Sequence, residues 1–441
     1  MNDRRSVWSW CFYDWANSSF TTLVVTFIYA TYFTQAFADD EARGTALWSR
    51  GIVISSLLIA VMSPILGALA DRGGTRRRFL VASTMICVVA SAVLAFLTPD
   101  LPYAVWLALG VFVVGNVAFE IGMVFYNAFL PAISTPQTIG RISGRGWGLG
   151  YVGGLLCLVL ALFGLVGLGD AAPWIQLPRD EGFHVRATNL LVAGWFLVFS
   201  LPMLLWVRDP PRAAAMARRA SVRGAFDDLR ATWARLRRFP EIIRFLVARL
   251  VYNDGLVTIF AFGGIYAAGT FGMSFSEVIV FGIALNLAAG IGALLFGFVD
   301  DYLGGRTTVI ISLVALLAAA VLAVLAPTKT LFWVAGLMVG IFAGPNQAAS
   351  RSVMARLVPA QHENEFFGFF AFSGKATAFA GPLLLGIASD AMGQRAGVST
   401  VTIFFVVGLI LLLMVDEQKG RERKVAAETM AAERAGTAPV A

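Results

Sequence analysis

The stretch Gly67–Arg78 reads G-A-L-A-D-R-G-G-T-R-R-R and lies between two long apolar runs. A related stretch, G-F-V-D-D-Y-L-G-G-R at Gly297–Arg306, also lies between apolar runs. The two stretches share four residues at a constant spacing of 230: Gly67 and Gly297, Asp71 and Asp301, Gly74 and Gly304, Arg76 and Arg306. Repetition at this distance in an apolar chain predicts two homologous bundles of transmembrane helices around a shared cavity.

The composition is that of a membrane protein. Of the 441 residues, 58% are hydrophobic and 14% are charged, whereas a soluble domain carries about a quarter charged residues. We therefore predict an all-α polytopic membrane protein, with twelve transmembrane helices in two pseudo-symmetric six-helix bundles. The predicted spans are approximately 8–37, 47–70, 79–98, 103–130, 147–169, 188–207, 243–268, 275–300, 307–326, 331–355, 366–389 and 398–415.

The basic residues are distributed as topology signals. The formal net charge is +7, and most Lys and Arg fall in segments that an even number of spans places on the cytoplasmic side together with both termini. A role in binding nucleic acid is therefore not expected. The three cysteines lie in predicted spans and are interpreted as packing residues, and neither a metal nor a cofactor is expected: Cys11, Cys87 and Cys157.

The predicted domains are an N-terminal bundle (1–207), a linker (208–242), a C-terminal bundle (243–415) and a cytoplasmic tail (416–441). Apolar residues recur in the linker at helical spacing: Val222, Phe226, Leu229, Trp233 and Leu236. Arginines occupy much of the remaining linker surface. This pattern predicts an amphipathic helix on the inner leaflet, with a soluble regulatory helix as the alternative.

Further repeats and a glycine cluster bear on helix packing. Ser143-Gly144-Arg145 matches Ser373-Gly374-Lys375 at the same spacing and in the same direction, which indicates parallel repeats related by an axis along the membrane normal. Six glycines crowd one end of the fifth span: Gly144, Gly146, Gly148, Gly150, Gly153 and Gly154. They predict close helix packing or a bending hinge, and Gly381-Pro382 would provide a matching kink in the eleventh span.

Over essentially its full length the chain resembles the major facilitator superfamily, whose signature loop between helices 2 and 3 is similar to Gly67–Arg78. Thr75 departs from that pattern, and Tyr302 replaces a basic residue in the second copy. Four segments look like the "unknown major facilitator" family, the bacterial relatives of the fungal autophagy-related vacuolar amino-acid effluxers. They are Y-D-W-A-N-S at 13–18, S-G-R-G-W-G-L-G-Y-V-G-G at 143–154, Y-N-D-G at 252–255, and S-R-S-V-M-A-R-L-V-P at 350–359 followed by E-F-F-G at 365–368. The resemblance implies a secondary carrier in the bacterial inner membrane that exports amino acids or similar small solutes.

Polar residues at bilayer depth are costly and are therefore candidates for binding a substrate or a coupled proton. They are Asp14, Asn17, Asn116, Glu120, Arg145, Asn253, Asp254, Asn346, Gln347, Arg351 and Lys375. The resemblance implies that helices 1, 4, 7 and 10, which carry most of them, line the central cavity. The alternative is that single carboxylates pair with basic neighbours and hold helices together. If transport is coupled to protons, Glu120 or Asp14 is the predicted carrier of the proton.

The two repeated loops predict a conformational gate. Asp71 ends the second span, where it can accept hydrogen bonds from the N-terminus of a neighbouring helix and pair with arginine. We expect it to hold one access state, with Asp301 as a weaker counterpart. The proposed gate contains Gly67, Asp71, Arg72, Gly74, Arg76, Asp301 and Arg306. For the arginines the alternative is a simple topology signal.

The leading functional prediction is a monomeric secondary active transporter that moves a small polar solute by alternating access, with the lipid bilayer and protons as further partners. Mixed charge in the predicted site would suit a zwitterion such as an amino acid. A transporter-like receptor without turnover remains an alternative. A membrane-embedded enzyme is disfavoured, because both histidines, His184 and His362, lie outside the predicted spans.

Overall fold

The computed structural model describes residues 3–38, 40–73, 75–167, 172–209 and 234–434. Within these ranges the chain consists of helices and connecting turns, with no β-strand. Eleven helices of the described residues are long and apolar enough to cross a membrane. These observations confirm the predicted class, an all-α polytopic membrane protein, and the count of twelve spans stays a prediction.

The helices of the first half correspond in order to the predicted spans, with two short helices in the connections. They are α1 (Arg4–Ser19), α2 (Tyr29–Ala36), α3 (Glu41–Gly73), α4 (Arg76–Leu94), α5 (Ala104–Ala128), α6 (Leu130–Ile133), α7 (Ile139–Ala161), α8 (Phe183–Arg186) and α9 (Thr188–Trp206).

The helices of the second half are α10 (Pro240–Phe271), α11 (Phe275–Leu303), α12 (Gly305–Leu325), α13 (Lys329–Leu357), α14 (Glu363–Lys375), α15 (Ala380–Met392), α16 (Gln394–Leu413) and α17 (Glu417–Arg434). The local sequence explains where two of these helices begin. Pro240 opens α10, where its missing N–H costs nothing. Ser274 and Glu277 form a capping box at the start of α11.

Two predicted spans are interrupted. Between α1 and α2 the segment Phe20–Phe27 is a π-helix, so neither flanking α-helix alone reaches the length of a span. The eleventh span is divided into α14 and α15, and residues 376–379 between them form turns. This break directly precedes Gly381-Pro382 and lies where the sequence predicts a kink. Interrupted helices in transporters are found where the backbone lines a binding site.

The two halves pack closely at the end of the bundle that carries Asp71 and Asp301, called the motif end below. A Cβ on Gly67 would lie 2.3 Å from the carbonyl oxygen of Asn364, and one on Gly144 would lie 2.3 Å from that of Ala293. Both glycines therefore bring a helix of one half against the backbone of the other. α7 runs unbroken through its glycine cluster, which favours the packing interpretation over the hinge.

Both ends of the described chain lie at the motif end. The guanidinium of Arg5 stacks 4.0 Å above the Trp206 ring at the end of α9, and Arg306 donates a hydrogen bond to the carbonyl oxygen of Leu413 at 2.9 Å. Helix α17 continues along this end, where Glu428 accepts a hydrogen bond from the Ala360 N–H. Of the predicted linker stripe only Leu236 is described, and it is buried. The other four stripe residues and Gly74 lie outside the described residues.

Candidate transport site and gate

An ion pair between the two halves lies near the middle of two candidate membrane spans, Ala104–Ile133 and Ala360–Met392. The Nζ of Lys375, the last residue of α14, is 2.6 Å from Oε1 of Glu120 on α5. Their side chains are 32% and 18% exposed. The sequence predicts both as site residues, and the structure brings them together. Because the pair is accessible and joins the halves, a charged solute can compete for either partner.

Amide side chains adjoin this pair on the side of the second half. Gln347 donates to Oδ1 of Asn253 at 3.2 Å, and the amide of Asn253 donates to the carbonyl oxygen of Gly374 at 3.1 Å. Two predicted site residues are thus fixed next to Lys375. Together they supply neutral hydrogen-bonding groups beside one positive and one negative charge.

Arg249 of α10 is buried and contacts the last two turns of α14, the helix that ends at Lys375. Its Nη1 donates to the carbonyl oxygen of Phe370 at 2.8 Å and to Oγ of Ser373 at 2.9 Å. The guanidinium also lies 3.7 Å from the centre of the Phe370 ring. These contacts tie α10 to α14 and orient the turn that presents Lys375.

Three other predicted site residues belong neither to the Glu120–Lys375 pair nor to its amide neighbours. Asp254 is 2% exposed, and no Lys, Arg or His of the described residues lies within 4 Å of its carboxylate. Asn346 donates to Oγ of Ser312 at 3.0 Å, so it packs inside the second half. Asn116 is buried one turn from Glu120 on α5.

A second polar cluster lies nearer the motif end and is centred on Arg351 of α13. Its guanidinium reaches four acceptors of the first half: Oδ2 of Asp14 at 3.1 Å, Oδ1 of Asn127 at 3.3 Å, and Oγ and the carbonyl oxygen of Ser143 at 2.9 and 2.7 Å. Arg351 is 1% exposed. In this conformation Arg351 links the two halves and is the counter-charge of Asp14.

Aromatic rings and a glycine enclose the Arg351 cluster. The guanidinium lies 4.6 Å from the Trp10 ring and 5.7 Å from the Trp147 ring. A Cβ on Gly146 would lie 2.7 Å from Oδ2 of Asp14 and 2.8 Å from the Trp10 ring. The cluster therefore has no room for a solute. Asn17 belongs to it, with its amide 3.4 Å from Asp14.

Arg145 does not join either cluster, since no described carboxylate lies within 4 Å of its guanidinium. Sequence reasoning missed Asn127, Trp10 and the role of Ser143. For Ser143 a signal existed, because its segment is repeated at Ser373, and both serines accept from a buried arginine.

Asp71 caps a helix of the opposite half, as the sequence predicts. One carboxylate oxygen accepts from the Asn364 side chain at 2.7 Å and from its backbone N–H at 3.3 Å. The other accepts from the Glu365 N–H at 2.7 Å. Glu363 begins α14, so Asp71 binds the positive end of that helix dipole. Asp71 itself is 6% exposed.

Asp301 repeats this contact in the reverse direction. It accepts from the N–H groups of Gly140 at 2.7 Å and Arg141 at 3.3 Å, at the start of α7. The guanidinium of Arg141 lies 3.2 Å from the same carboxylate. Each half thus ends one helix in an aspartate that caps a helix of the other half.

The two arginines at the repeated spacing, Arg76 and Arg306, lie at the same end but bind different partners. Arg76 forms a buried ion pair with Glu363 of the second half, and it donates to the carbonyl oxygen of Ala128 at 2.5 Å. Arg306 instead binds within its own half, where its N–H donates to Glu417 of α17 at 2.9 Å. Arg72 lies in the last turn of α3.

Sequence reasoning missed a further buried pair at the motif end. Asp300 precedes the predicted gate residue Asp301 and pairs with Arg356, and it also accepts from the Ser352 hydroxyl. Its side chain and that of Arg356 are 2% and 3% exposed. The pair joins α11 to α13 within the second half and supports the turn that holds Asp301.

Comparison with known proteins places this arrangement in a family. The family described as "Vacuole effluxer Atg22 like" matches residues 45–140 and 133–425. The chain is 30% identical to an uncharacterized MFS-type transporter, YxiO, of Bacillus subtilis, over 93% of this chain and 94% of that protein.

It is 27% identical to Autophagy-related protein 22 of Cryptococcus neoformans, over 65% of this chain and 55% of that protein. In structure it is similar to the human organic anion transporter MFSD10, with a TM-score of 0.72 at 17% identity, covering 93% and 99% of the two chains. The last similarity shows the fold alone.

Proposed function

The chain belongs to the Atg22-like effluxer family and has the fold of a major facilitator transporter, and from this premise we propose that it is a secondary active carrier that exports amino acids. The family name describes an effluxer, which supports export, and it relates the family to Atg22. The observation that carries the proposal is the partly exposed Glu120–Lys375 pair, which joins the two halves beside the amides of Asn253 and Gln347.

The chemistry of this pair fits a zwitterion. The ammonium group of an amino acid can replace Lys375 at Glu120, while its carboxylate can replace Glu120 at Lys375. Binding would thus break one contact between the halves and provide two in return. The side-chain amides of Asn253 and Gln347 lie beside this pair and can form hydrogen bonds with the substrate. This region is therefore the proposed binding site.

Alternating access would then depend on the contacts at the motif end. In the described conformation Asp71, Asp301 and Arg351 all join the halves at or near this end. A solute at Glu120 would reach it from the opposite end. Release at the motif end requires these three contacts and the buried Arg76–Glu363 pair to open, so together they form the proposed gate.

Orientation and oligomeric state complete the proposal. We place the motif end and both termini on the cytoplasmic side of a bacterial inner membrane, because the basic residues concentrate there. We also propose a monomer, since one chain supplies both halves of the site. Labelling of a cysteine introduced at Arg78, which is exposed, in right-side-out membrane vesicles tests the orientation.

The binding site is tested with purified protein in proteoliposomes. We expect counterflow of a radiolabelled L-amino acid mixture, and we expect the apparent KM to rise about 10- to 150-fold in Glu120→Gln and Lys375→Gln, which each remove one charged hydrogen bond of about 1.5–3 kcal/mol.

The matched control is Lys329→Gln. It removes another exposed ion pair, with Glu277 at 2.9 Å, and should leave counterflow unchanged. Saturable binding without counterflow in the wild type would favour a receptor without turnover. Equal activity of Glu120→Gln and the wild type would move the binding site elsewhere.

A further inference from the structure

Asp254 differs from the other carboxylates predicted at bilayer depth. Asp14 is paired with Arg351 at 3.1 Å, and Glu120 is paired with Lys375 at 2.6 Å. The carboxylate of Asp254 has no Lys, Arg or His within 4 Å among the described residues, although the residue is 2% exposed. A buried carboxylate without a counter-charge is stable as the neutral acid and costly as the anion.

The position of Asp254 connects it to the proposed binding site. It follows Asn253, whose amide is bonded to the carbonyl oxygen of Gly374, and the side chain of Thr377 lies next to its carboxylate. A Cβ on Gly381 would lie 3.0 Å from its backbone oxygen. Asp254 therefore lies against the break between α14 and α15, which directly follows Lys375.

The other charged groups around α10 are already held by partners. Near Asp254 these are Arg249 with Phe370 and Ser373, Tyr252 with Ser350, Lys375 with Glu120, and Arg351 with Asp14. Those farther along the packed helices are Glu241 with Arg244, Glu277 with Lys329, Asp300 with Arg356, Glu363 with Arg76, Glu365 with Arg235, Arg395 with backbone carbonyl groups, and the exposed Asp390. Lys375, two residues before Thr377, is partly exposed and can change partner.

We propose that Asp254 is the group that binds and releases the proton coupled to transport, and that it acts by competing with Glu120 for Lys375. The neutral acid leaves Lys375 with Glu120, so the tie between the halves is kept. When the acid gives its proton to water, the anion requires a cation and draws Lys375 away from Glu120. One proton is taken from water on one side and returned to water on the other in each cycle.

This inference rests on the proposed function for its transport consequence, but its protonation state can be measured without transport. The first experiment records infrared spectra of the reconstituted protein across a range of pH. We expect a carboxylic C=O band at neutral pH in the wild type that disappears on alkalinisation. Asp254→Asn should remove this band, whereas Glu120→Gln should retain it.

The second experiment imposes a pH gradient of one unit on proteoliposomes and follows a radiolabelled L-amino acid mixture. One proton per solute gives about tenfold accumulation in the wild type. In Asp254→Asn we expect no accumulation, with exchange of amino acids across the membrane maintained. Glu120→Gln should weaken both processes together through its higher apparent KM, because it lacks a substrate contact.

Each outcome is informative. Gradient-driven accumulation that persists in Asp254→Asn, or an unchanged infrared band in that variant, overturns the inference. If the wild type moves no amino acid, the proposed substrate fails and the infrared result alone decides the role of Asp254. If Asp254→Asn does not fold, Thr377→Val replaces it. Removal of the adjacent hydroxyl must then shift the pH midpoint of the band, and an unshifted midpoint overturns the inference.

Discussion

Replacement of Asp71 by Asn tests the gate most directly. The carboxylate accepts three hydrogen bonds from Asn364 and Glu365 of the other half. The variant keeps the shape of the side chain but presents an NH2 group to one set of donors and carries no charge. Loss of one charge-assisted hydrogen bond costs about 1.5–3 kcal/mol, and loss of the charge at the helix N-terminus costs about 0.5–2 kcal/mol.

These terms together remove about 2–5 kcal/mol of free energy from the conformation closed at the motif end. The equilibrium between the closed and open states therefore shifts roughly 30- to 4000-fold towards the open state. The substitution does not touch Glu120 and Lys375, the proposed binding residues. We expect Asp71→Asn to slow transport while substrate binding is largely retained.

Pulsed electron paramagnetic resonance measures this shift. Spin labels at Arg78 and Tyr302, which are exposed on opposite halves at the motif end, report the distance between the halves. The native cysteines are buried and can be replaced beforehand. Asp71→Asn should increase the population with the longer distance, whereas the exposed residue Asp390 provides a control variant, Asp390→Asn, that leaves it unchanged. An unaltered distance distribution in Asp71→Asn, or an equal loss of binding and transport, would refute the gate.

Three further predictions concern the same contacts. Asp301→Asn should shift the spin-label distances in the same direction by about two thirds of the free energy, because Asp301 accepts two hydrogen bonds where Asp71 accepts three; a shift equal to that of Asp71→Asn would contradict the weaker role. Asp14→Asn leaves Arg351 buried without a counter-charge and should cost about 3–5 kcal/mol, so differential scanning fluorimetry should show a lower Tm, and an unchanged Tm would contradict the contact. Gly146→Ala places a Cβ 2.7 Å from Oδ2 of Asp14 and should also lower the Tm, whereas Gly110→Ala, with open space around its Cβ, should not.

Much of the fold follows from hydropathy and repetition alone. The repeated loops at Gly67 and Gly297 predict two related bundles, and long apolar runs predict the spans, because a bilayer requires both length and apolarity. The cap made by Asp71 was also predictable. A carboxylate that ends one span next to the start of another is well placed for a helix N-terminus.

The pairing of charges was not predictable to the same extent. Hydropathy places a residue at a depth in the membrane but does not give its direction around the helix axis. Asp14 and Arg351 are 337 positions apart in sequence, so their contact depends on how the two halves meet. The sequence favours Asp14 or Glu120 as the proton carrier, whereas the structure pairs both with a cation and places none of the described cations within 4 Å of the Asp254 carboxylate.

The two polar clusters differ in exposure, and this difference supports distinct roles. The Arg351 cluster is buried and completely occupied by groups of the protein, so it can open or close but cannot exchange a partner for a solute. The Glu120–Lys375 pair is partly exposed and lies farther from the motif end. A solute that competes for Lys375 weakens a contact between the halves, whereas the buried cluster must separate before the solute can pass. In the proposed mechanism, substrate binding and gating therefore use different ion pairs, and both pairs cross the same interface.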